Sequence, residues 1–127
     1  MSSSASIAYI TIFPNGPLLS RRYIHDLDNN PLTPADVASV TLNVYRQNLN
    51  AAGQMVRTAV TDWADVALTV AEVIFTTIND ANGKPYNFQN CVEGAFTDTN
   101  ATYIVEYIIT LADGHAIPVV IQAGTTA

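Results

Sequence analysis

Three features of this sequence predict an all-β protein, an antiparallel Ig-like β-sandwich of about eight short strands in a single domain over residues 1–127. Runs rich in Val, Ile, Thr and Tyr recur at roughly eight-to-twelve-residue spacing. Clusters of Asn, Asp, Gly and Pro separate them, each suited to a turn. Third, Thr102 to Leu111, the bend Ala112-Asp113-Gly114 and the return run Ala116 to Ile121 read as a long hairpin.

That hairpin organises the chain. Side chains alternate along a strand, so Tyr103, Val105, Tyr107, Ile109 and Leu111 share one wholly apolar or aromatic face. The other face carries Ile104, Glu106, Ile108 and Thr110, a half-polar pattern expected of a central strand whose back is partly covered.

From the N-terminus, Ile7 to Phe13 is β-branched and aromatic and ends at the turn Pro14-Asn15-Gly16-Pro17. Residues 1–13 could also serve as an extended N-terminal arm. Leu18 to Ile24 follows as an edge strand, because Arg21 and Arg22 in its middle discourage unwanted pairing. His25 to Asp36 is a polar loop with prolines at Pro31 and Pro34, within which Thr33-Pro34-Ala35-Asp36 can form one helical turn. Val37 to Tyr45 alternates as a half-buried strand, and Gln54 to Val60 is a further short strand. Ala64 to Phe75 fits either period; the flanking Thr and Val residues and Val73-Ile74-Phe75 favour strand. After the turn Asn79 to Pro85, Tyr86-Asn87-Phe88 re-enters a strand. Cys91 to Phe96 reads as irregular and Gly124 to Ala127 as a frayed tail.

A chain of 127 residues with a net charge of −6 and only 5 basic residues lacks the clustered Lys and Arg that nucleic acid requires, so no nucleic-acid partner is expected. No apolar run has the length of a membrane span, and none is expected. The leader Met1 to Ser6 lacks the charge and apolar core of a signal peptide, which points to synthesis in a cytoplasm. The single Cys91 excludes an internal disulfide and a multi-cysteine metal site.

No catalytic constellation is present, and neither a cofactor nor a metal is expected. Asp26, Asp28 and Asn30 have the alternate spacing of a calcium loop, but Pro31 stands where Gly should permit the bend and Val37 where Glu should close the site. An Asx-rich turn accounts for them better. His25 and His115 lie outside any ligand-spaced cluster. Asp62 and Asp65 bracket Trp63 and resemble a glycosidase acid pair only in composition. Trp63, Tyr86, Phe88 and Phe96 admit two readings: core packing, the commoner, and an aromatic platform for a sugar ring.

Three motifs together resemble small β-sandwich virion proteins of tailed bacteriophages. Asp28 to Val40, leading to Asn43-Val44-Tyr45, resembles a recurrent opening turn and strand of such domains. Gly83-Lys84-Pro85-Tyr86-Asn87-Phe88 is similar to their Gly-Tyr-Asn-Phe turn, and Tyr103 to Tyr107 with Asp113-Gly114 to their final hairpin. Asn30 replaces the usual Gly of the first turn, and Lys84-Pro85 interrupts the second. The resemblance implies a non-enzymatic capsid decoration (cement) protein located in the virion, or another head or tail accessory protein. Its expected partners are the major capsid protein or other virion proteins, with homo-oligomerisation as a trimer. The candidate interface comprises Ile7, Tyr9, Ile10, Ile12, Phe13, Arg21, Arg22 and Trp63. An adhesive or carbohydrate-binding module is the alternative.

Overall fold

The computed structural model describes residues 8–127, so Ile7 and the rest of the N-terminal leader lie outside the described residues. Among the described residues nine strands form two facing sheets. They are β1 (Ala8–Ile12), β2 (Leu18–Arg22), β3 (Val37–Leu49), β4 (Met55–Ala59), β5 (Val66–Leu68), β6 (Ile74–Asn79), β7 (Pro85–Val92), β8 (Thr102–Leu111) and β9 (Ala116–Thr125). The larger sheet runs β1-β9-β8-β3-β4, with β5 also on β3, and the smaller runs β2-β7-β6. This is the sandwich the strand spacing predicts, with the strand placement of Ig-like folds.

The central hairpin behaves as its alternation dictates. Tyr103, Val105, Tyr107, Ile109 and Leu111 are all buried, as are Ile117, Val119 and Ile121 of the return strand. Against them the smaller sheet and its flanking loops bring Leu18, Phe88 and Phe96. The Phe88 ring meets Tyr107 edge-on at 4.9 Å and Phe96 meets Tyr103 at 5.2 Å, a geometry that sets the positive ring edge on the negative face. Near the start of β8 the Tyr103 hydroxyl accepts the Asp98 backbone N–H at 3.0 Å, the tyrosine corner of Ig-like sandwiches. The Arg46 guanidinium lies 5.6 Å from the same ring and pairs with Asp98 at 3.2 Å.

Four local expectations are corrected. Ala64 to Phe75 is not one strand: β5 belongs to the larger sheet and β6 to the smaller, so the chain must cross between layers, which it does through a single helical turn, α1 (Val70–Val73). β7 continues through Cys91 and Val92, because Leu19 and Leu18 of β2 pair with them. The C-terminal tail is held to Thr125, whose hydroxyl accepts the Ala101 N–H at 2.8 Å and donates to the Asp98 carbonyl at 2.6 Å. Finally, β1 pairs with β9 in parallel, Ala8 opposite Ile121 and Ile12 opposite Thr125, while the other ladders are antiparallel.

Pro118 falls on the stretch of β9 that β1 does not reach, so its missing N–H disturbs only an edge. The predicted turn at Thr33 forms as a 3-10 turn over Pro34–Asp36, with the Asp36 carboxylate accepting the Thr33 N–H at 2.9 Å. One buried side chain joins this loop to the smaller sheet. Asn87 accepts the Ile24 N–H at 2.8 Å and donates to the carbonyls of Ile24 and Leu32 at 2.8 and 3.0 Å.

Candidate functional site

The turn after β1 carries the chain from one sheet to the other. Asn15 takes a left-handed φ of 62° there, Gly16 donates its N–H to the Phe13 carbonyl at 2.9 Å, and Asn15 donates to the Phe96 carbonyl at 2.7 Å. The outer strands of the two sheets, β1 and β2, are therefore neighbours across the side of the sandwich. Between them lies a groove of about 160 Å³ lined by Ala8, Tyr9, Ile10, Leu18 to Arg22 and Ile121. Among the described residues no strand pairs with the outer edge of either.

Four of the eight predicted interface residues, Tyr9, Ile10, Arg21 and Arg22, meet in this groove. Tyr9 is 72% exposed, and Phe13, at the end of β1, is 77% exposed. Ile12 is instead buried in the core. Trp63 lies on the β3 flank, at the opposite edge of the larger sheet, where it packs on the core and its carbonyl accepts the Val44 N–H at 2.9 Å. Ile7 falls outside the described residues.

The two adjacent arginines have different surroundings because strand alternation sends them to opposite faces. Arg21 points outward, its guanidinium 4.8 Å from the centre of the Tyr86 ring and its Nε bonded to Gln89 Oε1 at 2.6 Å. Arg22 points inward beside Ser20, and one of its terminal nitrogens is buried without a hydrogen-bond partner among the described residues. The Ser20 hydroxyl is likewise buried. It lies near enough to the Tyr107 hydroxyl to favour the phenolate slightly, but not in hydrogen-bonding geometry. The sequence pointed to the arginines but not to Ser20 or the half-exposed Leu19; the alternation of Leu18, Ser20 and Arg22 is the signal that places the inner face.

A second cleft, about 390 Å³, lies at the end of the sandwich between the Asp26 to Asp36 loop and the β8–β9 turn. Three of its four carboxylates, those of Asp26, Asp36 and Asp113, are engaged in local turns. Asp26 accepts the N–H groups of Asp28 and Asn30, both at 2.9 Å, and Asp113 accepts the His115 backbone N–H at 2.9 Å, with the His115 Nδ1 3.0 Å from the same oxygen. These bonds make the Asx turn expected from the sequence. They also hold Asp113 below the ordinary carboxylate range, chiefly through the His115 backbone N–H. No three His, Cys, Asp or Glu side chains converge on a metal position among the described residues.

The remaining candidates disperse. His25 packs edge-on against Tyr23 at 4.5 Å, while His115 pairs with Asp113 on the β8–β9 turn. Asp62 and Asp65 both have left-handed backbones, and the Asp65 N–H is taken by the buried Asn43 side chain at 2.7 Å. They shape the irregular step between β4 and β5. Of the two readings of the aromatics, core packing holds for three of them: Phe88 and Phe96 are fully buried and Trp63 packs on the core. Comparison with protein-family models, with curated proteins and with solved structures finds no match to this chain.

Proposed function

We propose that this chain is a structural module that binds other proteins, and that it serves as a capsid decoration protein on a phage head, as its motifs imply by resemblance. The observation that supports the reading is the β1–β2 side. Among the described residues, a strand edge bearing Tyr9 and Ile10, with no charge, proline or bulge within it, has no pairing strand and lies beside a second edge. Isolated soluble domains normally blunt such edges, so one left unguarded suits pairing with another chain. Decoration of a shell multiplies a modest contact over many copies, and a small apolar patch then suffices. Association as a trimer and location in the virion belong to the same proposal.

The test is co-sedimentation with purified expanded phage heads. The parent chain pellets with the shell, and a Tyr9→Ser, Phe13→Ser double variant does so far less. If the parent pellets with neither heads nor tails, the virion assignment is wrong. A native mass equal to one chain at micromolar concentration would overturn the trimer.

A further inference from the structure

We infer that the outer edge of β2 receives an extended strand from a partner protein, and that this strand sets an aspartate or glutamate carboxylate on Arg22. The inference rests on the protein-binding reading above and specifies the chemistry of the partner.

The first observation is an imbalance between the layers. The smaller sheet ends at β2, while the larger continues through β9 to β1. Along β1, Ala8 and Ile12 pack on the core and Ile10 shares their face, yet Ile10 is 40% exposed. A strand added beside β2 would extend the smaller sheet to lie over Ile10. The second observation is the unpartnered Arg22 nitrogen. A buried donor of a charged group left without an acceptor is costly, and a carboxylate is its natural complement. Among the described residues no acidic side chain lines the groove, although the chain as a whole carries a net charge of −6.

Size selects the kind of occupant. At about 160 Å³ the groove is smaller than the ~300–1,000 Å³ of small-molecule pockets. It suits single side chains entering from a strand whose main chain bonds to the β2 edge. Cross-strand neighbours lie on one face, so the partner residue opposite Arg22 carries the carboxylate and the one opposite Ser20 is small. On the outer face, the residue opposite Leu19 is apolar. The two arginines that guard this edge against unwanted pairing do not oppose such a strand: Arg21 is already held by Tyr86 and Gln89, and the carboxylate meets Arg22.

The probe is a pair of capped hexapeptides of alternating valine and threonine, one with a central glutamate and its twin with glutamine, titrated into the full chain. The glutamate peptide should bind at least about tenfold more tightly, shift the backbone amides of residues 19–22, and lose its advantage with Arg22→Gln but not with Arg21→Gln. Equal binding of the twins, binding by neither, or amide shifts confined to other strands would overturn the inference. So would binding seen only after removal of residues 1–7, which would make the chain's own leader the occupant. Should Arg22→Gln fail to fold, the twin comparison and amide map on the parent chain decide the matter. Head co-sedimentation without a glutamate preference would leave the virion proposal standing and remove this one; the reverse result would do the opposite.

Discussion

At the scale of the single residue, polar side chains inside the sandwich do work that apolar packing cannot. Asn87 satisfies one N–H and two carbonyls of a loop that has no sheet partner of its own. Replacing it with leucine leaves the Ile24 N–H and the Leu32 carbonyl buried and unpaired, while the Ile24 carbonyl keeps its bond from the Leu32 N–H, so Asn87→Leu should destabilise the fold by about 2–4 kcal/mol in urea unfolding. Tyr107 is a different case. Burial pushes its phenol up, against smaller opposing contributions from Asn90 and Ser20. A folded pKa above the unfolded value of about 10 means this contribution to stability is whole below pH ~10 and declines as pH rises through the folded value. Stability measured by denaturant titration should therefore fall in that alkaline range, and Tyr107→Phe should flatten the decline.

At the scale of the element, strands end where a particular bond is made. Thr125 closes the gap between β9 and the turn before β8, and Thr126 donates its N–H to the Ile12 carbonyl at 3.0 Å. Thr125→Val keeps the shape and removes the hydroxyl, with an expected loss of about 1–2 kcal/mol by thermal or urea unfolding. The turn between β6 and β7 is set by Asp80, whose carboxylate accepts the N–H groups of Lys84 and Asn82 at 2.9 and 2.8 Å. The Lys84 amide bond is the main reason its pKa lies below the ordinary value. The turn bonds should persist on acidification until pH drops through that lowered value. Asp80→Asn should abolish the acid transition of the Lys84 amide in an NMR titration; an unchanged transition would refute the assignment. The Thr125 and Thr126 contacts were not legible in the sequence, because a terminal Thr-Thr-Ala reads as a frayed end whatever lies beside it.

At the scale of the whole molecule, the question is whether the N-terminal region belongs to the fold or extends from it. Residues 8–12 are the outer strand of the larger sheet and bury Ile12. Deleting residues 1–13 should lower stability by at least about 2 kcal/mol from Ile12 alone and leave β9 with an open edge that promotes aggregation. Light scattering beside a melting curve checks both, and a deletion with unchanged melting would restore the free-arm reading.

Sequence alone determined the fold class, the central hairpin with its buried face and the Asx turns. All are local: alternation and turn chemistry act over a few residues and need no distant partner. Only the tertiary structure decided that Ala64 to Phe75 breaks where the chain changes sheets, that Phe88 and Phe96 serve the core, and that β1 and β2 stand side by side with Arg22 turned between them. Those outcomes depend on which strands become neighbours, and neighbours far apart in the chain leave no periodic trace in either segment.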